Sequence, residues 1–385
     1  MPRVNPDILS WAREAAELSM DEAARKLGIR ANRLVALEEG RQDPSRSMLV
    51  KMSERYRRPL LTFYLPERPL QSDKGQDFRT LREAPPPGAE ALLDALLRDV
   101  QARQGIVKAA LEEAEEVEPL NFIGSARITD GPDAVAESIR GILGLTREEF
   151  RQQRTANDAF NLLRSCAERA GVFVLLMGNL GSHHTSIDAR VFRGFAIADP
   201  VAPFVVVNER DSRAAWSFTL LHELAHLWLG QTGVSGYDGE AQVEKFCDLV
   251  AARFLLDPRE LRDFDPRAAN FAQLRARIEE FASTRNLSRK MVAYNLLQAG
   301  TLSARSYREL SDLFDEERAR GAGQERESEG GPNYYVVRRH RVGAALVDVV
   351  RRMLSGRVLS TSEAGRVLGV KPTNVARLVE TTRAA

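Results

Sequence analysis

The sequence predicts a mainly α-helical protein with one small β-sheet: an α+β central domain flanked by all-α helix-turn-helix domains. Three observations predict it. Apolar residues recur at helical spacing through most of the chain, short β-branched and aromatic runs follow one another within residues 172–207, and one capped helical segment occurs twice, near either end. At 385 residues the chain is too long for a single ordinary core. A composition of 43% hydrophobic and 28% charged residues excludes a collagenous or wholly disordered chain. No apolar run reaches the roughly 18 residues of a membrane span, so no membrane partner is expected. The opening MPRVNPDILSWAREAAEL is polar and helix-patterned, without a signal region. Two cysteines, Cys166 and Cys247, cannot build a disulfide framework, which points to the cytoplasm.

Punctuation then divides the chain. The APPPG run at 84–88 breaks helices, because consecutive prolines remove donors and restrict the residue before each one. GAGQERESEGGPN at 321–333 has no apolar residue larger than alanine and reads as a tether. The expected organisation is a helix-turn-helix domain at 1–68, a linker and long helical segment at 69–154, and a catalytic domain at 155–300. A helix and flexible linker follow at 301–334, then a basic helix-turn-helix-like domain at 335–385. Within these, 89–117 reads as one long or kinked helix and 132–170 as helical. Strands are expected at Val172–Met177, Val191–Ala198 and Phe204–Val207, and helices at about 211–230, 240–256, 270–284 and 288–299.

The repeat is SMDEAARKLGI at 19–29 and STSEAGRVLGV at 360–370, at a constant offset. In both, Ser-x-x-Glu forms a capping box and Gly after Leu supplies the left-handed residue that ends the helix. The next helix turns apolar residues inward, the pattern of a helix-turn-helix. Its outward residues are Arg30, Asn32, Arg33 and Ala36 in the first copy and Lys371, Thr373, Asn374 and Arg377 in the second, the expected contacts to double-stranded DNA. Although the whole chain carries a net charge of only +1, residues 335–385 hold ten Arg or Lys against three acids. That segment reads either as a nucleic-acid footprint or as a solvated helical face.

Residues 5–68 also resemble the lambda-repressor-like (XRE) DNA-binding domains. Glu38, Gly40, Pro44, Leu49 and the closing RRPLLTFYLPE stand where that family has its E-x-G, Pro, Leu and Y-x-R-P-x-x-x-F-Y end. Ser45 replaces the more usual Thr after the proline. The resemblance implies five helices, a homodimer and a partly palindromic operator.

The chemistry is carried by HELAH at 222–226. His222 and His226 stand one helical turn apart on one face, so both imidazoles reach one metal ion, and Glu223 projects beside it as a base for water. With 5 histidines in the chain, a random match has a probability of roughly 0.005. The surrounding helix is almost wholly apolar, where unpaired histidines are costly. A catalytic zinc needs a third protein ligand and an open position. Glu244 on the following helix is the expected ligand, with Asp248, one turn on, orienting a ligand histidine; Glu240 and Asp238 are further carboxylates in reach. Cys247 reads as a small packing residue. Tyr237, His183, His184 and Asn208 are candidates for oxyanion or substrate contacts, and a substrate strand is expected to add along Phe204–Asn208.

Residues 204–258 resemble the ImmA/IrrE metallopeptidases, through VVVNERDSRAAWSFTLLHELAHLWLG from Val205 and EKFCDLVAARFLLDP from Glu244. Asp248 stands where that family commonly has Asn. The resemblance extends loosely over 155–300 and implies a zincin-like α+β domain, with Glu244 as the third ligand. It also implies a protein partner of repressor or antitoxin type, whose cleavage switches transcription. Zn2+ is the expected ion, one per chain, and the same donors accept Mn2+ or Fe2+. The competing expectation is a DNA-binding regulator whose zinc domain is a sensor or scaffold.

Overall fold

The computed structural model describes residues 4–69, 88–232, 240–262, 264, 270–324 and 333–380. Four short helices come first: α1 (Pro6–Glu14), α2 (Met20–Leu27), α3 (Ala31–Glu38) and α4 (Arg46–Tyr56). Each start is explained locally. Asn5 accepts from the Asp7 N–H, Ser19 and Glu22 form the expected capping box, and Ser45 accepts from the Met48 N–H. Gly28, at φ 73°, closes α2 in the left-handed conformation that turns the chain into α3. Ile8, Leu9, Leu34, Met52, Tyr56 and Phe63 fill one core. Glu38 belongs to that packing: its carboxylate takes two hydrogen bonds from Arg13, at 2.9 and 3.0 Å, tying α3 to α1. Where the resemblance implied a fifth helix, the chain makes a 3-10 turn, Leu60–Tyr64.

The long helix α5 (Ala89–Glu113) runs unbroken through Gly105. The stretch expected to be helical at 132–170 is three helices, α6 (Pro132–Leu143), α7 (Arg147–Arg151) and α8 (Ala156–Arg169), separated by new caps at Thr146 and Thr155. The sheet comprises β1 (Phe173–Leu176), β2 (Gly194–Ile197) and β3 (Phe204–Val207) in the order β1-β3-β2. Strand β3 is parallel to β1 and antiparallel to β2.

Alternation along the strands feeds two different cores. Val174, Leu176, Ala196, Val205 and Val207 face the core built with α9 (Arg213–Trp228) and α10 (Glu240–Leu255). To that same core belong α11 (Phe271–Ser283), α12 (Arg289–Gln298) and α13 (Ala304–Gln324). Phe173, Leu175, Phe195, Ile197, Phe204 and Val206 face a second core shared with α5 and four closing helices. These are α14 (Tyr334–Val342), α15 (Ala344–Ser355), α16 (Thr361–Leu368) and α17 (Val375–Glu380). Burial on both faces explains why the strands read as continuous apolar runs.

The basic C-terminal segment therefore packs against the sheet. Its capping box at Ser360 and Glu363 and its left-handed Gly369 form as in the first copy. A buried ion pair on α8 anchors it: Arg164 donates to the backbone carbonyls of His340 and Val174, and Glu168 accepts from the N–H groups of Ala344 and Ala345. Arg164 and Glu168 meet at 3.0 Å with side chains only 7% and 8% exposed. Much of the segment's positive charge is used internally. Arg341 pairs with Glu209, Arg352 with Glu116 and Asp348, and Arg338 and Arg339 donate to the carbonyls of Leu368 and Leu378.

Removing one member of a buried pair leaves the other uncompensated. Glu168→Ala is expected to lower the unfolding free energy by about 3–5 kcal/mol, read as a lower midpoint in urea, and a joint Arg164→Met, Glu168→Leu exchange recovers little of it, because it leaves the Val174 carbonyl and the Ala344 and Ala345 N–H groups without partners.

Candidate metal centre

Helix α9 is apolar on every side because the sheet, α8 and α10 enclose it. Trp228 anchors its end, stacked on Phe122 at 4.4 Å. Into this setting the sequence places three polar side chains: His222 and Glu223 are buried completely or nearly so, at 0% and 1% exposure, and His226 at 3%. The two Nε2 atoms stand 3.1 Å apart. Glu244, about one turn into α10, brings one carboxylate oxygen 3.2 Å from His222 Nε2 and the other 3.1 Å from His226 Nε2. His222 Nδ1 lies 2.9 Å from Asp248 Oδ1. A carboxylate only accepts, so the Nδ1 proton belongs to that bond and Nε2 keeps a lone pair. Burial pushes the Glu244 carboxyl up, but when the imidazoles of His222 and His226 are protonated their hydrogen bonds and charge outweigh burial and hold the carboxyl well below the usual carboxylate range.

These donors fit a metal. His222, His226 and Glu244 each offer one ligand atom, all within 4.8 Å of one another. Two donors on one tetrahedral zinc stand about 3.3 Å apart, close to the separations seen. The His222 Nε2 lone pair faces the His226 Nε2 and a carboxylate in a buried site, a grouping that a cation between them makes favourable.

Residues 167–297 match the Peptidase M78 family model, described as the IrrE N-terminal-like domain. Residues 9–63 match a helix-turn-helix model. The ImmA/IrrE and XRE resemblances thus hold on separate parts of the chain. The comparisons with curated proteins and with solved structures found no match. Among the described residues no helix is long and apolar enough to cross a membrane.

The edge of the IrrE-like domain's sheet corrects one expectation. Strand β3 is paired on both sides, so no substrate strand can add along Phe204–Asn208; the outer strand beside α9 is β2. Its first residue explains how close they lie. A Cβ on Gly194 would stand 2.7 Å from Thr219 Cγ2 and 2.8 Å from Glu223 Oε1, so only glycine leaves room for that carboxylate. Sequence reasoning passed over Gly194: FRGFAI showed a strand, and the demand for glycine comes from a helix lying across it.

Asn208 is the second correction. It is fully buried, its amide donates to the carbonyls of Ile187 and Phe192 and accepts from the Arg210 N–H, so it shapes the loop and meets no substrate. His184 is exposed in the 3-10 turn His183–Thr185. Tyr237, Asp238 and the side chains of His183 and Glu240 lie outside the described residues. Cys247 is fully buried, in the apolar core as expected.

On the helix-turn-helix match, Arg30, Asn32 and Arg33 are exposed at the start of α3. Ala36 is not: it is 7% exposed, because the chain turns back beyond α3 and the Gln42 N–H bonds the Ala36 carbonyl. In the second copy Lys371, Thr373 and Arg377 are exposed, Arg377 with its guanidinium over the Tyr335 ring, whereas Asn374 is half-buried and accepts from the Tyr335 hydroxyl at 3.3 Å. Helix α14 thereby covers part of the face expected to read DNA. Its counterpart of α3 is also shorter, since Pro372–Asn374 form a 3-10 turn before α17.

Proposed function

We propose that the protein is a zinc-dependent endopeptidase fused to a DNA-binding domain, which regulates transcription or a stress response by cleaving a repressor or antitoxin-like protein. The observation that carries it is the convergence of His222, His226 and Glu244, with Glu223 laid over the first residue of the outer strand. His222, His226 and Glu244 would hold the ion, and Asp248 orients His222. A zinc ion bound there supplies Lewis acidity towards the scissile carbonyl and acidifies water towards roughly neutral pH.

The chain's own residues do the rest. Three protein donors leave room for a fourth ligand, whereas a structural zinc site is closed by a fourth side chain. Glu223 Oε1 takes a proton from the attacking water and passes it to the leaving amine. The substrate binds as a strand on the outer edge of β2, so its peptide bond meets Glu223 at Gly194. Mn2+ or Fe2+ suits the same donors. The N-terminal domain binds double-stranded DNA through Arg30, Asn32 and Arg33, and brings the peptidase to an operator as a homodimer in the cytoplasm. Lys371, Thr373 and Arg377 are the contacts that remain open to DNA in the C-terminal copy.

Zinc-loaded protein is expected to cut a repressor encoded beside its own gene, and Glu223→Gln to abolish cutting at unchanged zinc content. Undiminished cleavage by Glu223→Gln removes the proposed base; operator binding with no cleavage of any partner leaves a regulator without proteolysis. An Asn32→Ala, Arg33→Ala double variant should lose specific operator affinity by at least about 30-fold in a mobility shift while retaining zinc, since each base contact contributes about 1–3 kcal/mol. Retained affinity would place the DNA-reading face elsewhere.

A further inference from the structure

The outer edge of β2 is short, and a single side chain ends it. The Asn208 N–H bonds the Arg193 carbonyl at 2.7 Å, so Arg193 and Asn208 form a hydrogen-bonded pair of the antiparallel ladder. Such pairs alternate, so Phe195 and Ile197 also turn their backbone groups to β3, and Gly194, Ala196 and Ala198 turn theirs outward. The last of these is already occupied. Thr232 Oγ1 accepts from the Ala198 N–H at 3.1 Å and donates to the Ala198 carbonyl at 3.4 Å. One hydroxyl on both groups of one residue imitates the partner in an antiparallel pair; in a parallel ladder those two groups go to different residues.

Thr232 reaches this position through the exit of the metal helix. Gly230, at φ 68°, reverses the chain after α9, and the Gln231 N–H returns to the His226 carbonyl at 2.9 Å. The same helix therefore carries Glu223 at one end of the open edge and leads to the residue that closes the other.

Resting on the peptidase reading, we infer that Thr232 limits how much of a substrate the protein grips as a strand. Among the described residues, Gly194 and Ala196 are the ones that offer backbone groups between Glu223 at Gly194 and the hydroxyl at Ala198. In antiparallel addition these engage two alternate residues, a stretch of about three, on the amino-terminal side of the bond cut. Further upstream the peptide has to leave the sheet. The substrate class that fits is a folded protein with a short extended loop; a long unstructured chain gains nothing more from this edge.

The test compares wild-type protein, Thr232→Gly and Thr232→Ser, each zinc-loaded, on a proteome-derived peptide library read by mass spectrometry, with hydrogen exchange on the resting proteins. In the wild type, extending nested peptides beyond the third amino-terminal residue should change kcat/KM by less than about twofold. In Thr232→Gly, with Ala198 freed to pair, the fifth residue should raise kcat/KM about fivefold to tenfold, as expected for an added hydrogen-bonded pair. Thr232→Ser should behave as wild type. The Ala198 amide should be protected from exchange in wild type and Thr232→Ser and lose protection in Thr232→Gly. Wild-type dependence on the fourth or fifth residue, or a Thr232→Gly profile identical to wild type, overturns the inference and leaves the peptidase reading intact. A wild-type protein that cuts nothing in the library removes both.

Discussion

Two imidazole nitrogens and a carboxylate meet within hydrogen-bond distance in a helix pair that is otherwise apolar, and the centre of the molecule is arranged around that contact. Burying such groups is unfavourable unless each finds a partner. Here they converge on one point where a cation would serve all three, and Asp248 fixes the tautomer of His222 so that its Nε2 lone pair points there. The consequence is a strict demand on neighbouring elements. Helix α10 has to cross α9 with Glu244 level with both histidines, and β2 has to present glycine beneath Glu223.

The sheet transmits that demand to the rest of the chain. Only three strands of four residues each are available, and both faces are covered. Helix α5 and the C-terminal helices form the second cover, locked by Arg164 and Glu168 and by the Arg341–Glu209 pair. Glu209 lies in the loop between β3 and the helix of the metal centre, so the C-terminal unit touches the segment that sets where α9 begins. The N-terminal domain joins through α5, whose first N–H groups at Gly88 and Ala91 bond the Glu17 carboxylate. A helix N-terminus favours an anion, so Glu17 is a natural clasp there.

What could be read in advance follows from the range of the interactions. His222 and His226 were legible because helical period alone puts residues four apart on one face. Glu244 and Asp248 were legible because the same period repeats on the next helix, and the chain length between the two helices is short. The capping boxes at Ser19 and Ser360 are local and appear as expected. Non-local features were not legible. The run Phe204–Val207 shows a strand but not that β3 lies in the middle of the sheet. Asn208 is polar and near the centre, yet its amide is spent on two carbonyls of a distant loop and on the neighbouring Arg210 N–H. Ala36 lies outward on a helical wheel, and a turn six residues later covers it. The excess of arginine at the C-terminus suggested nucleic acid, but several of those guanidinium groups answer carboxylates and helix ends elsewhere in the fold.

X-ray absorption at the zinc edge of the purified full-length protein tests the central claim most directly. Two imidazoles and a carboxylate predict a shell of four nitrogen or oxygen atoms at about 2.0–2.1 Å, with imidazole scattering and no sulfur. A sulfur contribution at about 2.3 Å would put a cysteine on the ion, and with it end the account of a centre held by His222, His226 and Glu244.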